Sequence, residues 1–237
     1  MISIIIPTLN EAGNIPDLLK RTFKSLDSID IDYEILIIDD ASEDNTADIA
    51  QELLGQKGRV IKRRENIRSL SLSVIDGIKK AKGDIIVVMD GDGSHPPELI
   101  PVFLDNLREG YDLIIGSRYI KGGGTQEFPF KRKIISVIAC LIGRIVTEVK
   151  DNTSGFFCIR KEVLDNVNLT PRGFKIGLEI FVKSNISAFK EVPYIFINRK
   201  KGKSKLTLRP ILQFLYQVFS LWVYKIFKSK NDSAKDI

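Results

Sequence analysis

Apolar and polar positions alternate along the first half of the chain in a regular rhythm. Short strands are read over Ser3–Ile6, Tyr33–Ile38, Arg59–Lys62, Ile85–Met89 and Leu113–Ile115, with Ile85–Met89 an unbroken apolar run. Between them, apolar residues recur at helical spacing over Asn14–Leu26, from a cap at Asp44 to Leu54, over Leu70–Ala81 and over Pro97–Arg108. Strand and helix therefore alternate, and right-handed crossovers turn that order into a mostly parallel, doubly wound α/β sheet. Past Gly116 the rhythm changes. Lys131–Glu148 reads as a very apolar helix, Thr153–Arg160 as loop then strand, Lys175–Ser184 as a helix, Glu191–Asn198 as a strand and Leu208–Lys228 as a long apolar helix.

The strand over Ile85–Met89 runs into Asp90-Gly91-Asp92-Gly93-Ser94-His95-Pro96-Pro97. Two carboxylates spaced i, i+2 at the carboxyl end of a buried strand stand where open α/β sheets bind ligands. Such a pair holds a hard divalent cation, which grips phosphate oxygens. A bare acidic pair in a turn is weak evidence, and its place after an apolar strand is what strengthens it. Asp39-Asp40 also follows a strand, and reads either as a helix-capping turn or as a ligand to a base or ribose. His95, the only histidine, reads as an organiser of its turn more readily than as a catalyst.

Charge divides the chain of 237 residues. The net charge is +6, but residues 1–116 sum to −8 and residues 117–237 to +14. The acidic half suits a metal and the basic half an anionic partner: phosphate, nucleic acid or a lipid surface. Cys140 and Cys158 form no metal-ligand spacing. The N-terminal apolar run is too short for a signal peptide, and the uncharged stretch Pro210–Tyr224 is too short to span a bilayer. With Trp222 and flanking Arg209, Lys225, Lys228 and Lys230, that stretch suits a membrane interface or a membrane partner. Arg132 and Ser136 share a face of the first apolar helix. Arg199-Lys200-Lys201-Gly202-Lys203-Ser204-Lys205 is a basic loop ahead of the second. Few aromatics accompany that loop, which argues against nucleic acid.

Taken in order, Pro7-Thr8-Leu9-Asn10-Glu11, Asp39-Asp40, Asp90-Gly91-Asp92, His95-Pro96-Pro97, Gly116-Ser117-Arg118-Tyr119, Ser154-Gly155-Phe156-Phe157, Gly173-Phe174-Lys175 and Arg199-x-x-Gly202-x-Ser204-Lys205 resemble the family-two GT-A glycosyltransferases, and among them the dolichyl-phosphate mannosyltransferase group. The likeness runs from Ile2 to about Leu206. It implies a GT-A, Rossmann-like catalytic domain over residues 1–206, with a nucleotide and metal half (1–116) and an acceptor half (117–206). Residues 207–237 would then form an apolar amphipathic helix, lying at the interface, and a polar tail.

The resemblance also implies roles. Pro7, Leu9 (usually Tyr), Glu11, Asp40 and Asp90 would hold the donor nucleotide. Asp90, Asp92 and Ser94 (often Gln) would bind Mg²⁺ or Mn²⁺. Arg118, Arg132, Ser136, Arg199 and Lys205 would bind the acceptor phosphate, with Asp92, Arg118 and Arg132 catalytic. The reaction implied is inverting transfer of mannose from GDP-mannose to dolichyl or another polyprenyl phosphate, by a peripheral protein at the cytoplasmic membrane face, with a small membrane subunit as a further partner. A UDP-sugar donor is the near alternative. A hydroxyl acceptor, a basic nucleic-acid-binding protein and a silent membrane subunit are more distant. Ser69, standing where a Gly is usual, is the one feature favouring the silent subunit, and Asn152 stands where Pro or Leu is common.

Overall fold

The computed structural model describes residues 1–63, 68–170, 175–197 and 208–233, with side chains in the last segment for residues 210–228. The first half follows the expected alternation: β1 (Ile2–Thr8), α1 (Ile15–Leu26), β2 (Tyr33–Asp39), α2 (Thr46–Leu54), β3 (Gly58–Lys62), α3 (Leu70–Lys80), β4 (Ile85–Val88), α4 (Ile100–Arg108) and β5 (Leu113–Ser117). A single 3₁₀ turn, Pro97–Leu99, leads into α4 where the whole of Pro97–Arg108 was expected to be α-helical. The second half holds β6 (Gly124–Gln126), α5 (Phe130–Gly143), β7 (Phe157–Arg160), α6 (Ile176–Lys183), β8 (Phe189–Pro193), β9 (Ile195–Ile197) and α7 (Leu208–Ser233).

Seven strands form one sheet in the order β3-β2-β1-β4-β7-β5-β8, and β6 pairs with β9 in a small parallel ribbon. β1 to β4 are mutually parallel, and β7 inserts antiparallel between β4 and β5. Alternation of side chains sends successive residues to opposite faces. Ile4, Ile6, Ile35, Ile37 and Val87 pack with α1 and α4 through Leu18, Leu19, Phe103 and Leu104. Ile5, Leu36, Ile38, Ile86 and Val88 pack with α3 and α6 through Val74, Ile75, Ile78 and Ile180. Both faces are covered, which is why these strands read as continuous apolar runs.

The chain leaves β1 toward β2 and β3, then returns to lay β4 on β1's other side. The strand order therefore reverses between β1 and β4, and their carboxyl ends open a crevice there. Gly91 sits in that crevice. A Cβ on it would lie 2.9 Å from Thr8 Cγ2 and 3.2 Å from the Pro7 carbonyl oxygen, so only glycine lets the loop after β4 approach β1 so closely.

Three expectations are corrected. Helix α5 ends at Gly143 and not at Glu148. The Asn152 side chain donates to the Cys140 carbonyl (2.8 Å) and the Val149 carbonyl (3.2 Å), and its amide fills the space a side chain at position 143 would need. The strand expected over Glu191–Asn198 is two strands in two sheets, with Asn198 outside the described residues. Pro193 has no N–H to extend the ladder, and at Tyr194 the chain passes from β5 to β6: its N–H donates to Ser117 and its carbonyl accepts from Gly124. The residue before α2 is Asn45 rather than Asp44; the Asp44 carboxylate still accepts the Thr46 N–H at 3.2 Å.

α7 docks through Phe214, Val218 and Leu221 onto Leu178 of α6 and Val146 beyond α5. The outer sides of α5 and α7 stay bare: Phe130, Ile138, Leu141, Leu212, Phe219 and Phe227 are all exposed. Among the described residues no helix is long and apolar enough to cross a membrane.

Candidate active site

A cavity of about 410 Å³ opens beside the carboxyl end of β4. Its lining includes the charged residues Asp90, Asp92, Arg118, Arg132 and Lys175 together with the apolar Ile135, Ile138 and Ile142 of α5 and Ile211, Phe214 and Leu215 of α7. Arg132 and Ser136 reach it together from one face of α5, as their spacing requires. The Arg132 guanidinium lies over the Phe128 ring at 4.8 Å.

The loop carrying Asp90 and Asp92 is held by its own backbone. The Asp90 N–H donates to His95 Nδ1 (2.9 Å), and the Ser94 N–H to Asp92 Oδ1 (3.0 Å). His95 is therefore an acceptor at Nδ1, stacked on Phe156 at 5.1 Å, with Nε2 3.8 Å from Asp90. Burial holds the ring below its ordinary pKa against the pull of Asp90 and Asp92, so it stays neutral and orders the turn. The Ser94 hydroxyl is buried without a hydrogen-bond partner and is not among the residues lining the cavity; what Ser94 visibly contributes is its N–H.

Arg118 is tied down. Its Nε and Nη2 donate to the two oxygens of Asp151, each at 2.7 Å. Its backbone N–H donates to the same carboxylate (2.9 Å), and Nη2 also reaches Thr153 Oγ1 (2.9 Å). Asp151 is fully buried, and its own N–H and that of Lys150 donate to Glu191. Burial alone would raise the Asp151 carboxyl, but the Arg118 hydrogen bonds and charge override it and hold the pKa below the ordinary value. Arg118 stays charged for the complementary reason. Lys175 donates to the Thr153 carbonyl (2.8 Å), and burial together with Arg118 depresses its pKa.

The residues expected at the nucleoside lie along the same sheet edge but not on this cavity. Pro7 is the last residue but one of β1, beyond the pairing of β4 with Ile2–Ile5, and Leu9 is exposed just past the strand. Glu11 accepts from Asn14 (2.6 Å). Asp40 is buried, bonded to Arg63 and to the Ser69 N–H (2.6 Å). Asp39 accepts from Thr8 and Ser42, which makes it the organiser of the turn. Arg199 and Lys205 lie outside the described residues. Ser69 has φ −158°, an extended conformation open to any residue, and its hydroxyl caps α3 by accepting from Leu72. A serine there strains nothing.

Residues 3–168 match the glycosyl transferase family 2. The chain belongs to this family. Among curated relatives it is 44% identical over 224 residues to a dolichol-phosphate mannosyltransferase of Pyrococcus furiosus, covering 93% of this chain and 63% of that protein. It is 36% identical over 234 residues to the Saccharomyces cerevisiae protein of the same name, covering 94% and 87%. Within the family it therefore stands in the dolichol-phosphate mannosyltransferase group, although it spans under two thirds of the Pyrococcus relative's length. Among solved structures, glucosyl-3-phosphoglycerate synthase from Mycobacterium tuberculosis superposes with a TM-score of 0.66 at 20% identity, covering 94% of this chain and 79% of that one. One structure of that synthase contains Mn²⁺ and UDP-glucose. The shared fold is the GT-A type: a mostly parallel sheet with helices on both faces.

Asp151, Thr153, Lys175 and Tyr194 were not anticipated at the site. Lys150-Asp151-Asn152-Thr153 is a polar tetrad beyond the apolar stretch that holds α5, a signal open to view in the sequence. Tyr194 owes its place to the change of sheets at Pro193, which no local pattern announces.

Proposed function

We propose that this chain transfers mannose from GDP-mannose to a polyprenyl phosphate of the dolichyl type, with inversion at the sugar. The observation that carries this reading is the cavity, whose lining combines the cations Arg118, Arg132 and Lys175 with apolar side chains of α5 and α7 that suit an isoprenoid. The family relatives named for the same reaction support it.

The chemistry suits the residues. A phosphate monoester has a second pKa of about 6 and is already nucleophilic near neutral pH. One of its oxygens forms a bond to the anomeric carbon. The bond from that carbon to the nucleoside diphosphate breaks, and its electron pair leaves with the diphosphate. No proton moves, so no general base is needed. His95 already accepts from a backbone N–H, and Asp151 is bonded to Arg118; neither is placed to act as one. Arg132 and Ser136 would align the nucleophile, and alignment supplies much of the rate.

Asp90 and Asp92 are the residues that would hold Mg²⁺ or Mn²⁺. Two carboxylates on one loop, ordered by the Asp90 N–H to His95 and the Ser94 N–H to Asp92 bonds, suit a hard cation that completes its shell with water and phosphate oxygens. Held there, such an ion would supply positive charge to offset that on the departing diphosphate. Pro7, Leu9, Glu11 and Asp40 would frame the nucleoside at the neighbouring strand ends, with Arg199 and Lys205 as further phosphate ligands. The bare faces of α5 and α7 would lie on the cytoplasmic surface of a membrane, where the lipid acceptor resides.

The test is transfer of radiolabel into a lipid extract from GDP-mannose or UDP-glucose, with dolichyl phosphate in detergent and Mn²⁺ or EDTA. Product from GDP-mannose alone, abolished by EDTA, is expected. Product from UDP-glucose alone would overturn the donor assignment.

A further inference from the structure

Two phenylalanines on the cavity wall, Phe128 and Phe196, have no part in the scheme above. Both turn inward from stretches that otherwise face out. On β9, Ile195 and Ile197 are 46% and 44% exposed, and the alternation of a strand sends Phe196 between them to the other side. Phe128 is half-buried, while Glu127, Pro129 and Phe130 around it are exposed. Glu127 has φ 54°, in the left-handed region that residues with side chains rarely adopt. The chain between β6 and α5 is therefore bent at some cost just where Phe128 turns in.

The two rings meet edge to face, with centroids 5.4 Å apart and planes at 75°. Each also carries an arginine. The Arg132 guanidinium carbon lies 4.8 Å from the Phe128 centroid, and that of Arg118 lies 5.6 Å from the Phe196 centroid. Arg118, Phe196, Phe128 and Arg132 thus form a continuous row, and all four line the cavity. Arg118 directly follows β5, and Arg132 stands in the first turn of α5. The rings join cations from two separate elements. Two guanidinium groups brought to one cavity repel each other. A ring face attracts a cation through its quadrupole, and restrains the group without accepting its N–H donors. Asp151 pairs with Arg118, and Arg132 has other contacts as well. What the rings add is a connection between the two arginines.

We propose that Phe128 and Phe196 are positioning residues for the acceptor phosphate. They fix the spacing and tilt of Arg132 and Arg118 before the ligand arrives, and act through the arginines without touching the reacting atoms. Cations held in place in advance leave less to be ordered when the phosphate binds. The assignment rests on the acceptor reading given above.

Titration calorimetry with geranyl phosphate, a short soluble prenyl monophosphate, and separately with GDP and Mn²⁺ tests the pair. Phe128→trifluorophenylalanine keeps the shape of the ring and removes most of the negative potential on its face. Phe128→Leu and Phe196→Leu remove the ring. A melting curve checks each fold, and the nearly isosteric fluorinated ring decides the matter should a leucine variant not fold. All three variants are expected to weaken geranyl phosphate by about three- to thirtyfold, the range of a partly desolvated cation–π contact. The two Phe128 variants should weaken GDP–Mn²⁺ by less than about twofold. Phe196→Leu is read on geranyl phosphate alone, because its ring also meets His95 of the metal loop, centroids 6.2 Å apart. In an Arg132→Ala background, Phe128→Leu should cost less than about twofold further, since a positioning ring then has nothing to position. Full geranyl phosphate affinity in folded Phe128→trifluorophenylalanine would reduce the ring to packing and overturn the assignment. So would an equal loss for GDP–Mn²⁺, or an undiminished effect of Phe128→Leu without Arg132. Wild-type protein that binds geranyl phosphate in this ring-dependent way but transfers no sugar would sink the transferase reading and leave the two rings their role.

Discussion

Replacing Asp151 by alanine should destabilise the protein far more than its distance from solvent-exposed chemistry suggests. Asp151 is fully buried and accepts three hydrogen bonds from Arg118, whose guanidinium is itself 8% exposed. Removing the carboxylate leaves a buried cation with the Thr153 hydroxyl and the rings of Tyr119 and Phe196 as its described partners, and no opposite charge among them. An orphaned buried charge of this kind costs about 3–5 kcal/mol. At this chain length each kcal/mol moves the melting temperature by about 2–4 °C, so Asp151→Ala should melt roughly 6–20 °C below wild type. The double variant Arg118→Met, Asp151→Ala removes both charges and should melt above the single one. Asp151→Asn supplies the pH arm. Because the folded carboxyl has a depressed pKa, its stabilisation is complete above the unfolded value of about 3.9 and fades as pH falls through the folded one. The gap between wild type and Asp151→Asn should therefore narrow on acidification and hold steady from pH 5 to 7. Thermal denaturation followed by circular dichroism measures all three. A drop under about 2 °C for Asp151→Ala, or a double variant less stable than the single, would refute the reasoning.

Other substitutions probe the remaining parts. Asp92→Ala should abolish transfer while the melting temperature stays near wild type; a folded variant with normal turnover would remove the carboxylate from the metal site. Arg132→Ala should raise KM for polyprenyl phosphate more than KM for the donor, and equal effects would take it out of the acceptor site. Ser69→Ala should cost about 0.5–2 kcal/mol through the lost cap on α3, and Ser69→Gly only a few tenths. A gain of activity in Ser69→Gly would show that the serine does impair the site. Leu212→Glu with Phe219→Glu, both on the bare side of α7, should abolish sedimentation with anionic vesicles and leave donor binding intact. Vesicle binding that persists would move the contact elsewhere.

The doubly wound half was legible because β1, β2 and β4 are buried on both faces and appear as largely apolar runs closed by turn residues, whereas β3 at the sheet edge is only partly buried and carries Arg59 and Lys62. Asp90 and Asp92 were legible for the same reason: they end such a run. The pairing of Arg132 with Ser136 followed from helical spacing alone. What escaped was decided by contacts distant in sequence. β7 runs antiparallel between β4 and β5, and nothing in Phe157–Arg160 states its direction. Asp151 is read locally as a turn residue, and only the return of β5 beside it makes it Arg118's partner. Arg118 was expected at the acceptor phosphate, and the sequence did not announce that Asp151 pairs with it. Gly143 and Asn152 shortened α5 through a side-chain contact that periodicity does not register. The serine at position 69 was read as a defect, yet its extended backbone makes it an ordinary helix cap.

The central claim is that the acceptor is a phosphate monoester, whose oxygen attacks the anomeric carbon directly without a general base. The most direct measurement offers the purified chain labelled GDP-mannose with Mn²⁺ and, in parallel, polyprenyl phosphate or the corresponding polyprenol of the same length. Labelled lipid formed from the phosphate and none from the alcohol is the expected result. Comparable product from the alcohol would contradict the claim, because that reaction needs a base that the cavity, as described, does not supply.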